Sequence, residues 1–256
     1  MVILVDEYMR KYIVLILWIG MLGACSVTKK VPDGSYLLNK TDIESDVKGL
    51  GSSALKPYLR QKPNSSMILL GRMKLKMYNI PNDTTTWLNR LMLKYGEPPV
   101  LYNEQLAVIS AEQIRLHMNN KGYLNAEVDT TVVKKEKKAN VTYNVTGNDP
   151  HRIRTFNDTI HSTDTTIYNI LDRTRQLELI KEGDIFDLSV LEEGRERMTT
   201  ILRNMGYYGF LKDNFYFIAD TTVGTNEVDL TLALKNPSDS THHRRNYLGD
   251  VTVING

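Results

Sequence analysis

Read along the chain, the apolar residues fall into a pattern that occurs twice. Asn103-Glu-Gln-Leu106 through Lys121-Gly122-Tyr123 aligns with Asp187-Leu-Ser-Val190 through Met205-Gly206-Tyr207, at an offset of 84 throughout. Asn103 and Asp187 are favoured helix caps, because a short side-chain oxygen can accept a free N–H of the first turn. Behind the first cap, Ala107, Ala111, Ile114 and Met118 recur at helical spacing. Leu191, Met198 and Leu202 do so behind the second, with Ile201 widening the stripe. Each helix is predicted to stop at Gly122-Tyr123 or Gly206-Tyr207, where glycine can take the left-handed position and the tyrosine can fold back on the last turn.

Past each Gly-Tyr pair the period changes to two, which predicts a hairpin. Leu124, Ala126, Val128, Thr130 and Val132 share one face of the first strand. After a turn at Lys134 to Lys138, Ala139, Val141, Tyr143 and Val145 share one face of the second. In the other copy Phe215, Phe217 and Ala219 alternate. Beyond Gly224 and Asn226 follow Val228, Leu230, Leu232 and Leu234. The hairpins end at Pro150 and Pro237.

Upstream of each long helix the pattern predicts one more strand and helix. In the second copy these are Arg152 to Ile160, then a helix capped by Asp164 through Ile167, Ile170 and Leu171, with a break at Gly183. In the first they are Tyr36 to Glu44, then a helix with Leu55, Tyr58 and Leu59, stopped by Pro63. An insertion follows, in which Met67 to Tyr78 fits a strand period (Met73, Leu75, Met77) and a helical one (Leu69, Met73, Met77) equally. The expected organisation is a segment 1–24, a linker 25–35, a first domain 36–150 with an insertion, a second domain 151–237, and at 238–256 a linker and the start of a third unit, where Val251 and Val253 begin a new twofold pattern.

The N-terminal segment reads as an export signal. Arg10 and Lys11 precede an apolar run from Tyr12 to Leu22, too short for a spanning helix of about 20 residues. It ends in Leu22-Gly23-Ala24-Cys25, a lipoprotein cleavage pattern that predicts lipid attachment at Cys25. Asp6 and Glu7 fit that order badly, and Met9 is the better start.

The order strand, helix, helix, strand, strand, repeated behind a lipoprotein signal, resembles the polypeptide-transport-associated (POTRA) domain of the outer-membrane assembly family of the BamA and TamA type. The paired Gly-Tyr stops sit where that family often keeps them. The cleavage pattern at Cys25, Gln61-Lys62-Pro63-Asn64 and Gly96-Glu97-Pro98-Pro99-Val100 resemble its lipid-anchored, TamL-type branch. The resemblance implies an α+β fold of tandem POTRA domains, each a three-stranded sheet covered by two helices. It also implies location at the periplasmic face of the outer membrane, a C-terminal β-barrel that the 256 residues do not contain, unfolded outer-membrane proteins as clients, and an inner-membrane TamB-like partner.

Composition changes little in this picture. With 41% hydrophobic and 24% charged residues the chain can bury a core. Its one cysteine leaves no disulfide framework or thiolate metal site. A net charge of +2 with dispersed basic residues does not suggest nucleic acid. No catalytic motif is present, and no enzyme activity, cofactor or metal is expected. His117 reads as a partly buried structural histidine, His242-His243 as linker, and Lys134 to Lys138 as a solvated turn.

The run Phe215-Tyr216-Phe217-Ile218 is different. Alternation buries Phe215 and Phe217 and leaves Tyr216 and Ile218 outward, beside strand hydrogen bonds another chain could use. By the resemblance the edge strand is the second of each unit, hence Phe215 to Thr221 and Leu124 to Val132. The expectation is a polypeptide-binding module that takes clients by strand addition. The alternative is a structural lipoprotein scaffold that binds no client.

Overall fold

The structure is a computed structural model. It describes residues 27–68, 71–174, 180–237, 242–247, 249–250 and 252. The segment expected to be an export signal, with Met9, and likewise Cys25, Val251 and Val253, lie outside the described residues. The chain divides into two compact units. One runs to Ile114 and adds Val128–Thr146; the other combines Arg115–Glu127 with the residues from Gly147 onward.

The elements in chain order are β1 (Leu37–Ser45), α1 (Ser52–Leu55), a 3-10 turn (Lys56–Tyr58), α2 (Met73–Asn79), α3 (Trp87–Tyr95), α4 (Glu104–Asn120), β2 (Glu127–Lys135) and β3 (Lys138–Thr146). They continue with β4 (Arg152–Asp158), α5 (Ile160–Thr163), α6 (Thr165–Arg173), α7 (Leu188–Asn204), a 3-10 turn (Lys212–Asn214), β5 (Phe215–Asp220) and β6 (Glu227–Leu234). Each unit holds a three-stranded sheet, ordered β1-β3-β2 and β4-β6-β5. In each the last strand is central and the first pairs with it in parallel.

The twofold pattern of β3 and β6 is what the core uses. Ala139, Val141, Tyr143 and Val145 are buried, as are Val228, Leu230, Leu232 and Leu234. In the second unit Met198 and Leu202 of α7 join Ile167 and Leu171 of α6 over Phe215, Leu232 and Leu234. Ile153, Phe186, Leu191, Val228 and Leu230 form a smaller cluster. The caps are in place: the Asn103 side chain accepts from the Leu106 N–H at 3.1 Å, and Asp187 from Ser189 at 2.8 Å. Asp164 accepts from Thr166 and Ile167.

Three expectations need correction, and one open alternative is decided. The first strand of the first hairpin begins at Glu127, so Leu124 lies in a turn outside it. The reason is local: Ala126 N–H returns to Tyr123 O at 3.1 Å, and this turn is completed before pairing starts. The edge strand of the second hairpin ends at Asp220, not Thr221, because the Asp220 side chain binds the Thr222 N–H and turns the chain away. The helix expected up to Pro63 stops at Leu59, where the backbone is extended, since Pro57 has no N–H to continue an α-helical ladder. The ambiguous insertion is helical at Met73–Asn79, and a further helix, Trp87–Tyr95, follows behind a Thr86 cap.

Candidate polypeptide-binding edges

A three-stranded sheet has two outer edges, and in both units the start of one is engaged by the same device. The Leu38 N–H of β1 donates to Val100 O, and the Tyr102 N–H donates to Tyr36 O, both at 2.8 Å. In the second unit the Ile153 N–H donates to Asp184 O and the Phe186 N–H to His151 O, both at 2.9 Å. The closing residues keep the offset of 84, while the strands they close are 115 apart. The segment just before each long helix therefore pairs with the start of the first strand, and the first copy fits about thirty extra residues between the two.

Gln61 and Asn64 hold the first closing segment. Asn64 Nδ2 donates to Pro98 O at 2.7 Å, and its Oδ1 accepts the Val100 N–H at 2.9 Å. Gln61 does the same with Asn103, giving Nε2 to the carbonyl at 2.6 Å and taking the N–H at 3.2 Å. Both amides are buried. The Gln61-Lys62-Pro63-Asn64 and Gly96-Glu97-Pro98-Pro99-Val100 motifs thus bind each other. Ser65 adds its N–H and hydroxyl to the Glu97 carboxylate; burial pushes this carboxyl up, but the Ser65 bonds together with Asn64 and the Lys74 charge hold it below the usual carboxylate range. No sequence pattern announced the closing segments, because their register depends on where β1 and β4 lie.

The other edges, β2 and β5, pair on one side only among the described residues. They differ in character. On β2, Val128 and Val132 are half-buried and Thr130 is exposed, while Glu127, Asp129, Lys134 and Lys135 put charge on the strand. Charges of this kind blunt an edge against another chain. On β5, Phe215 is buried and Phe217 is half-buried against both clusters. Tyr216 and Ile218 are exposed, at 43% and 54%. The first charge on β5 is Asp220, held below its usual range by the Thr222 hydroxyl and N–H. Next to it Asp229 is held down by Arg154, whose Nε lies 2.8 Å from Oδ1.

Both Gly-Tyr stops take the same geometry. Gly122 has φ +90° and Gly206 φ +98°. The Tyr123 N–H donates to Met118 O and the Gly122 N–H to Asn119 O; Tyr207 and Gly206 repeat this with Leu202 and Arg203. This pair of bonds closes a helix with its carbonyls satisfied. Each glycine carbonyl then takes one more N–H from further along the chain, His151 at 2.7 Å for Gly122 and Asn246 at 2.8 Å for Gly206.

The histidines occupy supporting positions. His117 is half-buried, and burial with the nearby Lys121 charge pushes its pKa down. His243 stacks on Phe210 at 4.6 Å, and His242 lies 3.6 Å from the buried carboxylate of Asp164. No group of three or more potential metal ligands occurs among the described residues.

A POTRA family model, described as a surface antigen variable number repeat, matches residues 36–147. The match spans 112 of the 256 residues, and the fold that contains it is mixed α+β, three-stranded sheets with helices. No curated protein matches the chain by sequence. Among solved structures it is similar to BamA from Haemophilus ducreyi lacking POTRA domains 1–3, at 17% identity and TM-score 0.39, over 79% of this chain and 30% of that one. It is also similar to POTRA3–5 of Haemophilus influenzae BamA, at 16% identity and TM-score 0.36, over 78% and 61%. For POTRA1–2 of Omp85 from Anabaena the values are 13% and 0.31, over 80% and 98%. The chain spans less than two thirds of the first two.

Proposed function

We propose that this chain is the periplasmic polypeptide-binding part of an outer-membrane assembly or translocation factor, and that β5 is its receptor edge. The observation that carries the reading is the asymmetry within the second sheet. The start of its β4 edge is bonded by Gly183–Phe186, while its β5 edge has no strand partner among the described residues, is uncharged up to Asp220, and is flanked by exposed Tyr216 and Ile218. An extended client added there gains main-chain hydrogen bonds with little demand on its sequence, which suits a factor with many clients. The β2 edge is a weaker second site because of its charges.

In this reading Cys25 carries the lipid, the domains lie in the periplasm at the outer membrane, and the full-length protein continues into a further POTRA unit and a β-barrel, with a TamB-like inner-membrane protein as partner. No bond is made or broken; the activity is binding. Photo-crosslinkers at positions 216 and 218 test it in cells. Adducts with several unassembled outer-membrane proteins are the expected result. A single fixed partner would establish the structural scaffold in its place. Labelled fatty acid is expected in the native chain and absent from Cys25→Ala.

A further inference from the structure

The insertion of the first domain is unlike the rest of the chain in charge. Asn64 to Tyr95 contains five basic residues, Arg72, Lys74, Lys76, Arg90 and Lys94, against one acidic residue, Asp83, and Lys56, Arg60 and Lys62 lie just ahead of it, in a protein whose net charge is only +2. The same stretch holds an inverted helix face. On α3 the turn-inward positions Asn89, Met92 and Leu93 are partly covered, while Trp87, Leu88, Leu91 and Tyr95 are exposed along one arc. Arg90 and Lys94 flank that arc and are exposed as well. Lys94 Nζ lies over the Tyr95 ring at 5.6 Å. Exposed Trp, Tyr and Leu bordered by Lys and Arg is the pattern of a helix that lies in a bilayer interface.

The start of the described chain supplies the second observation. Val27 packs against the cluster of Val31, Leu37 and Leu75, and its carbonyl accepts from Asn79 Nδ2 at 3.0 Å. Lys30 Nζ donates to Tyr78 O at 2.8 Å, and Lys29 Nζ to Asn82 at 3.0 Å. Val27 and Lys30 are therefore fastened to α2, and Lys29 to the loop after it. Two residues of chain reach at most about 7 Å, so an acyl chain on Cys25 would hold α2 at the membrane surface. Helix α3 is closely joined to α2: Gly96 at its end approaches Tyr78 so tightly that a Cβ would lie 2.8 Å from the tyrosine Cβ.

We propose that α3 and its basic surroundings form a membrane-docking surface, which seats the first domain on the anionic phospholipid leaflet that holds the lipid anchor. This rests on the reading of Cys25 as lipidated for its location, but the surface itself does not need the acyl chains. Charge sets the choice of occupant: the apolar arc enters the headgroup boundary while each Lys or Arg near an anionic surface adds to binding.

Trp87 is a built-in probe. The chain has two tryptophans, and the other, Trp18, lies in the export segment. Residues 26–256 contain every described residue, and this unlipidated chain is mixed with phosphatidylethanolamine/phosphatidylglycerol vesicles. Bound protein should float with the vesicles, its Trp87 emission should shift to the blue, and lipids brominated near the headgroup should quench it. Arg90→Gln with Lys94→Gln should weaken binding by about thirtyfold, and neutral phosphatidylcholine vesicles should bind at least as weakly. Trp87 that stays open to iodide and untouched by brominated lipid would overturn the proposal. So would shielding that arises only with rising protein concentration, which makes a second copy the occupant, or only in whole outer-membrane preparations, which makes it a protein. Intact mass of the native protein reads the Cys25 lipid separately, so an absent anchor and an inert surface cannot be confused.

Discussion

Gly122 and Gly206 each answer two demands at once. Both adopt a left-handed backbone, which costs a residue with a side chain about 1 kcal/mol. Both are also crowded. A Cβ on Gly206 would lie 2.6 Å from Asn246 O, and one on Gly122 would lie 2.6 Å from Ile185 Cγ2 and 2.8 Å from Phe186 O. Gly206→Val and Gly122→Ala should therefore destabilise by more than about 1 kcal/mol. Gly209→Ala, with ordinary φ and nothing within 4 Å, should change stability by less than about 0.5 kcal/mol. Thermal denaturation of the three variants checks this, and a neutral Gly206→Val would contradict the geometry. Asn64→Ala removes the partners of the half-buried Val100 N–H and of the Pro98 carbonyl and should cost about 1–2 kcal/mol in denaturant titration. His117 gives the pH dependence. Its pKa is below the ordinary 6.5 when folded, so the unfolded chain takes up a proton that the folded chain resists. Its contribution is full above pH 6.5 and is lost as the pH falls from there through the folded value. A His117→Gln variant should show a flatter stability curve over that interval.

At the scale of elements, what was legible is what is locally encoded. Helices α4 and α7 are long, have side-chain caps, and end in a glycine that only one backbone region suits, so cap, stripe and stop agreed before any contact was known. The inward faces of β3 and β6 follow from alternation for the same reason. Short elements were not legible. Four residues of α1 carry too little pattern to show where Pro57 interrupts the ladder, and Met67 to Tyr78 satisfies two periods. Helix α3 carries a weak signal, Thr86 ahead of Leu88, Leu91, Met92 and Tyr95, because its apolar arc points outward. The β5 edge carries the prediction that belongs here. Ile218→Lys changes an exposed position and should leave the melting temperature within a few degrees. It should also abolish crosslinks from position 216, since a lysine on an edge obstructs an added strand. Retained crosslinks would remove β5 as the receptor.

At the scale of the whole molecule, the two units have separate sheets and separate buried clusters. A cavity in one should be felt there. Leu202→Ala removes a fully buried side chain from the core under β5 and β6 and should cost about 2–5 kcal/mol. Hydrogen exchange should speed up in β4 to β6 while the amides of β1 and β3 keep their protection. Uniform loss of protection would show one cooperative body in place of two.

The sequence by itself determined the repeat, its offset of 84, the caps at Asn103 and Asp187, the glycine stops and the inward faces of the central strands. All of these depend on interactions within a few residues of one another or on a periodicity imposed by the backbone. Only the tertiary structure decided which edge of each sheet the segment before the long helix engages. Closing an edge requires the Leu38 N–H to meet Val100 O, or the Ile153 N–H to meet Asp184 O, across separations of 62 and 31 residues. It decided likewise that Gln61 and Asn64 clasp the segment from Pro98 to Asn103, and that Val27 is fastened to α2. Such contacts exist only once the core has fixed the distance between segments, and no local pattern records that distance.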